Sequence, residues 1–243
     1  MNVVTPVTRI PLLAACAAAA LMAAPRPSLA QQTLNTLTAA ERSAGWRLLF
    51  DGKTTAGWRG WKMDSLPSGW QAVDGALTRV KPAADIITTD KFKNFELSLE
   101  WNIAKNGNSG IFYRASEHPG DDAIYWSAPE MQVLDDAGHP DGQSRLTAAG
   151  ADYGLYPSPA GVVKPAGQWN QVRLVVKGNH VEHWLNGVKV VEYELLSPDW
   201  EAKVKASKFA DHPRYGRNAE GYIGLQEHEY GVAFRNIKIR VLP

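Results

Sequence analysis

The chain has 243 residues, 44% hydrophobic and 21% charged, an ordinary globular composition that excludes disordered, collagen-like and coiled-coil classes. Its 26 basic and 25 acidic residues leave a formal net charge of +1; a nucleic-acid binder needs a basic excess to replace phosphate counterions, so none is expected as a partner. The nine Trp suit either a Trp-rich β core or aromatic faces stacked on sugar rings.

Residues 1–30 contain Arg9 and Arg26 and no acid. An apolar run extends from Ile10 to Ala24, and Ser28-Leu29-Ala30 places small residues before Gln31. This reads as a secretory signal peptide cleaved after Ala30, with a periplasmic or secreted product. A rival reading takes Leu13-Ala14-Ala15-Cys16 as a lipobox with Cys16 the lipidated first residue. Against it, the apolar stretch before Cys16 is shorter than the ~7–15 residues of such a region. The run is also too short and Ala-rich for a membrane span. Without residues 1–30 the chain keeps 24 basic and 25 acidic residues and no Cys. It then has no disulfide, thiol nucleophile or thiolate metal site, and a hydrophobic core alone must hold it.

Residues 31–44 read as a lead-in with a short helix at Thr38–Ser43. Beyond them the chain reads as β. Phe95, Leu97, Leu99 and Trp101 alternate strictly, which places them on one face of a strand. Strand-like runs follow at Gly110–Arg114, Met131–Leu134, Val172–Val176, Val181–Leu185 and Val188–Tyr193. Asn186-Gly187 joins the last two as a hairpin. Tyr222–Gln226 and Ala233–Val241 close the chain. No ten-residue amphipathic helix separates the strands, so the expected fold is all-β, a single jelly-roll β-sandwich domain over 45–243. The long polar loop Asp135–Gly167 is expected to rim the binding face.

Strand alternation locates candidate chemistry. Glu130 and Gln132 share one face, and Met131 and Val133 the other. Gln226 and His228 lie with Tyr222 and Gly224, opposite Ile223 and Leu225. Phe112 and Arg114 oppose Ile111 and Tyr113. If these strands are neighbours, Arg114, Glu130, Gln132, Gln226 and His228 form one polar patch; otherwise each is a solvated outer-face residue. Conventional glycosidases need two carboxyl groups at ~5–5.5 Å or ~6.5–9.5 Å. Laminarinase-type enzymes carry theirs as Glu-x-Asp-x-x-Glu, whereas this strand reads Glu130-x-Gln132-x-x-Asp135, with an amide in the middle and Asp135 on the opposite face. The string from Asp135 to Gly142 is rich in oxygen ligands but lacks EF-hand spacing, and turn chemistry accounts for it as well as calcium does. No HExxH or Gly-x-Ser-x-Gly pattern occurs.

Several motifs occur together in a characteristic order. They are Gly45–Lys53 with Gly57-Trp58, Trp70–Gly75, Asn94–Leu97, and Asn108–Ile111 with Arg114. Glu130–Asp135, Gly167–Asn170, Leu185–Gly187, Ile223–Gln226 with His228, and Phe234–Ile237 follow. In these the chain resembles the 3-keto-disaccharide hydrolase domain family, long catalogued as a domain of unknown function, from about Gly45 to Leu242. Asp136–Gly161 matches little of the pattern and is where specificity is expected.

The resemblance implies a concanavalin A-like jelly roll and cleavage of glycosides already oxidised at C3 by a separate sugar 3-dehydrogenase. A C3 ketone acidifies the C2 proton. Its removal lets the enolate expel the C1 substituent, and water adds later. Such a site needs one base and a donor set, not two carboxylates at glycosidase spacing. On this reading Glu130 or His228 is the base and the other is an acid or ligand. Arg114 stabilises the enolate oxygen or orients Glu130. Gln132, Gln226 and Asn108 bind hydroxyls, Lys208 is a further donor, and Trp126 and Tyr153 are stacking or core residues. A divalent cation at the ketone is the one cofactor left open; Glu130 and His228 would then be its ligands and the base another group. The rival functions are a non-catalytic lectin-like carbohydrate-binding module and a protein-interaction domain, the latter requiring an exposed apolar patch.

Overall fold

The computed structural model describes residues 1–3 and 33–243, so the signal-peptide and Cys16 readings lie outside the described residues. Thr33–Pro243 forms one compact unit. The lead-in is anchored to it. Asn35 and Asn236 each donate a backbone N–H to the other's side-chain oxygen, at 2.7 and 2.8 Å. The expected short helix is α1 (Ala39–Ser43), closed by a capping box between Thr38 and Glu41.

The strands are β1 (Trp46–Leu48), β2 (Trp58–Gly60), β3 (Trp70–Val73), β4 (Ala76–Arg79), β5 (Ile86–Phe92), β6 (Phe95–Ile103), β7 (Asn108–Ala115), β8 (Glu130–Leu134), β9 (Asn170–Lys177), β10 (His180–Leu185), β11 (Val188–Glu194), β12 (Gly221–Leu225) and β13 (Val232–Val241). One sheet runs β11-β10-β9-β6-β13-β4-β3, with β1 also on β13; the other runs β2-β5-β12-β7-β8. The two face each other as the expected jelly-roll sandwich. β1 to β5 precede the first run that reads clearly as a strand, and β1 to β4 have only three or four residues each, too few for a period-2 pattern to emerge. Among the described residues, no helix is long and apolar enough to cross a membrane.

The alternation in β6 decides its orientation. Phe95, Leu97, Leu99, Trp101 and Ile103 are buried between the sheets, and Ser98, Glu100 and Asn102 turn outward. Ile111, Met131, Val133, Ile223 and Leu225 belong to the same core. Burying such a side chain is worth ~1.5–3 kcal/mol. The β10–β11 hairpin turns at Asn186 and Gly187, both with positive φ (50° and 84°) and with Leu185 paired to Val188. That is the backbone a two-residue hairpin turn demands.

One further helix, α2 (Pro198–Lys205), was not legible in the sequence. It starts on Ser197, whose hydroxyl accepts the Trp200 N–H, with Pro198 in the first turn, where its missing N–H costs nothing. At eight residues it is too short for an amphipathic period to stand out.

A polar group of residues is sealed within the sandwich. His183 Nδ1 donates to the Gly150 carbonyl (3.1 Å), so its Nε2 accepts from the Tyr113 hydroxyl (2.9 Å), which lies 2.6 Å from the Tyr193 hydroxyl. Asp152 Oδ1 lies 3.5 Å from Tyr113 Oη. Burial pushes Asp152 from 3.8 up to about 8, and His183 from 6.5 down to about 4. Both are therefore neutral near pH 7.

The signs of their contributions differ. Unfolded Asp152 ionises near 3.8, so folding above that pH takes up a proton, and stability falls as pH rises toward 8. His183 acts the other way, adding stability from about pH 4 to 6.5 and nothing more above it. Between pH 6.5 and 8 the Asp152 contribution falls by up to about 1.4 kcal/mol per pH unit. Denaturant unfolding of Asp152→Asn should show a flatter decline over that window than the parent; equal slopes would place the Asp152 proton elsewhere.

Candidate active site

Three adjacent strands, β12, β7 and β8, present their outward residues to one cavity of about 270 Å³. Glu130 enters from β8, Asn108 from β7, and Gln226 and His228 from the segment leaving β12. The expected adjacency of these segments therefore holds. Glu130 lies across Gly110: a Cβ built there would collide with Glu130 Oε1. The absent side chain on β7 is what gives the carboxyl its place. The Gln226 N–H donates to the Gly110 carbonyl (2.9 Å) and the Ser109 hydroxyl to the Gln226 carbonyl (2.8 Å), which fixes β12 beside β7 at this level.

The loop after β8 supplies the opposite wall. It folds back over the open edge of β8: the Gln132 N–H donates to Ala151, Gly150 donates to Gln132, and Tyr153 donates to the Glu130 carbonyl. A sheet edge is thereby covered, and His139, Asp141 and Tyr153 reach the cavity. His139 Nδ1 accepts the Asp141 N–H (3.2 Å), leaving Nε2 as the ring nitrogen able to serve the cavity. The Tyr153 hydroxyl donates to Asp141 Oδ2 (3.2 Å). The loop thus forms one rim of this cavity.

Lys208 follows α2 and is held among aromatic rings. Its Nζ lies 4.2 Å from the Tyr153 ring centre and 5.2 Å from those of Tyr125 and Phe209, within cation–π range. Phe209 stacks on Tyr215 at 3.9 Å, and Tyr215 on Trp200 of α2 at 6.0 Å. The position of the ammonium is thus set by aromatic packing.

The electrostatics follow from burial. Burial pushes the Glu130 carboxyl from 4.5 up to about 8, against the pull of Lys208 and with the help of Asp85, Asp152 and Asp141. Burial also lowers Lys208, which Glu130 and Asp141 oppose. Asp85 is pushed up to about 6 by burial, although its Oδ1 accepts the Glu227 N–H at 2.8 Å. Asn108 Oδ1 and His228 Nδ1 are buried, with no hydrogen-bond partner among the described residues. Buried polar atoms are seldom left so.

Glu130, His228, Asn108, Gln226, Lys208 and Tyr153 are therefore gathered in one place. Arg114, Gln132 and Trp126 are not. The β7–β12 pairing slips between Tyr222 and Gly224, and Arg114 takes φ 55°. The bulge breaks the alternation and sends its guanidinium to the Gly178 carbonyl in the turn between β9 and β10. Gln132 keeps the expected face, but its amide is spent locally. Nε2 donates to the Thr147 carbonyl (3.1 Å) and Oε1 accepts the Val133 N–H (3.2 Å). Trp126 stacks on His212 at 3.7 Å and meets Phe209 edge-on, outside the cavity. Its neighbour Tyr125 lines the cavity instead. Tyr125, His139 and Asp141 were not singled out as site residues in the sequence. The string from Asp135 to Gly142 hinted at the last two, but strand periodicity says nothing about where a loop folds.

Four residues of the cavity are of metal-ligating type. The cavity holds His139, His228, Glu130 and Asp141, yet the described residues that bring three donor atoms within 4.8 Å of one another are His180, Glu182 and Glu192, on β10 and β11. The cavity donors as placed do not form a three-ligand site.

Comparison with known proteins agrees with the fold and the motif order. The 3-keto-alpha-glucoside-1,2-lyase-like domain matches residues 45–240. A Bacteroides thetaiotaomicron protein named 3-keto-disaccharide hydrolase is 37% identical over 245 residues, covering 88% of this chain and 84% of its own length. A Parabacteroides distasonis crystal structure, provisionally described as a glycosyl hydrolase, superposes with a TM-score of 0.82 at 32% identity, covering 87% of this chain and 100% of that one. A second from the same organism, described likewise, gives 0.65 at 30% identity, over 81% and 99%. This chain is a carbohydrate-cleaving enzyme and belongs to the 3-keto-alpha-glucoside-1,2-lyase-like family.

Proposed function

We propose that this protein cleaves the glycosidic bond of 3-keto-glycosides, 3-keto-disaccharides among them, by elimination followed by hydration. The observation that carries the reading is Glu130: a buried carboxyl, pushed up to about 8, in a polar cavity beside Lys208. A carboxylate so raised is a stronger base than an ordinary one and still ionises near working pH. It takes the C2 proton, whose electron pair delocalises onto the C3 oxygen as an enolate. Lys208 stabilises that charge, the role that preorganised cations and donors have in such sites. The enolate re-forms the ketone and expels the C1 oxygen, which takes a proton from His228. Water then adds to C1, giving its second proton to His228, and the proton held by Glu130 returns to C2, so both groups are restored and the balance is glycoside plus water to 3-keto sugar plus alcohol. Asn108 and Gln226 bind hydroxyls, and Tyr153 and Tyr125 face the ring. A sugar 3-dehydrogenase has to supply the substrate, and the signal-like sequence of residues 1–30 puts the enzyme in the periplasm or outside the cell.

A second reading rests on Asp141. It joins Glu130 in the cavity, and two carboxyl groups facing one space are the arrangement of a conventional glycosidase. Incubation with 3-keto-glycosides and their unoxidised counterparts separates the two: cleavage of only the keto compounds is expected, and cleavage of the unoxidised ones would favour the carboxylate pair. Sugar binding with cleavage of neither would return the lectin-like module. Chelator-sensitive turnover restored by a divalent ion would turn Glu130 from base into ligand.

Glu130→Gln should lower kcat on a 3-keto-glycoside by at least ~10²–10⁴-fold with the melting temperature kept; unchanged turnover would remove Glu130 from the mechanism. Gly110→Ala should also lose turnover, because the new methyl group takes the carboxyl's place. In the parent, kcat/KM should rise with pH and level off above about 8, as Glu130 loses its proton, and fall again where Lys208 loses its own. The two apparent values belong to the pair.

A further inference from the structure

A second cavity, of about 490 Å³, lies against the first and is lined by Arg79, Pro82, Glu227, His228 and Glu229. His228 is the residue common to both. The segment that carries it is fixed from two sides. Arg79 of β4 donates through Nε to Glu227 Oε1 (2.8 Å) and through a terminal nitrogen to the Glu229 carbonyl (3.1 Å). Asp85 accepts the Glu227 N–H. The Arg79 side chain is only 9% exposed, so the Arg79–Glu227 side of this groove is held in place by the fold.

We propose that the second cavity is the subsite for the leaving group, and that it takes a neutral sugar. The inference rests on the reaction proposed above and adds where the departing half of the substrate sits. A glycosidic oxygen has to lie between two bound halves, and His228 stands at that boundary. The size is that of a small-molecule site. Pro82 offers an apolar surface to the C–H face of a pyranose, while Arg79, Glu227 and Glu229 offer donors and acceptors to its hydroxyl rim. Two carboxylates against one guanidinium give the lining a negative balance, which disfavours acidic sugars.

The test compares two substrates sharing one keto sugar: a 3-keto-disaccharide of two glucose units and methyl 3-keto-glucoside, whose leaving group is too small to reach the second cavity. Pro82→Trp fills that cavity from an exposed position and leaves the Arg79–Glu227 pair alone. It should cut kcat/KM on the disaccharide at least tenfold while changing the methyl glycoside less than twofold. Glu229→Ala should act in the same direction, more weakly. Equal losses on both substrates, or no loss on either, would overturn the proposal. Saturation-transfer NMR with free glucose gives a readout independent of turnover: contact expected in the parent and lost in Pro82→Trp. If neither substrate is cleaved but that contact appears and is lost as expected, the reaction fails and the sugar site stands. If the contact is absent, the subsite fails whatever the turnover.

Discussion

Taking a carboxyl group out of water is costly unless it is paired or neutral, and the arrangement around Glu130 follows from that cost. The group lies over a residue with no side chain, Gly110, so the sheet itself makes the space. Burial raises its proton affinity, and Lys208 restrains the rise. A closer ion pair would fix the carboxylate and blunt it as a base. A greater separation would leave the group protonated throughout the useful pH range. The aromatic rings that hold the ammonium at a distance therefore act on the chemistry through geometry.

Two pieces of the fold maintain that separation. The loop after β8 is hydrogen-bonded to the very strand that carries Glu130, so the wall and the carboxyl move together. The column of Phe209, Tyr215 and Trp200 ties Lys208 to α2. Stacked aromatic pairs of this kind are worth ~0.5–1.5 kcal/mol beyond burial, enough to order a loop that strands alone would leave free.

Behind the cavity, Asp152 sits beside the backbone that joins the loop to β8, with Tyr113, His183 and Tyr193 around it. These side chains come from both sheets and the loop. The hydrogen bonds joining Tyr113, Tyr193, His183 and the Gly150 carbonyl at that junction favour one register, because a slip would leave those groups unpaired.

The sequence by itself determined the sandwich, the β10–β11 hairpin, the face of Glu130, and its grouping with Gln226 and His228. All of these follow from the two-residue strand period and turn chemistry, which are local rules. It also carried the family likeness in the order of its motifs. Tertiary structure decided the rest. A bulge at Arg114 reversed the reading of that residue, and Gln132 was claimed by a loop carbonyl. Tyr125 took the place expected of Trp126. His139 and Asp141 came in from a loop with no periodicity to read. Each depends on contacts between segments far apart in the chain, about which the local pattern holds no information.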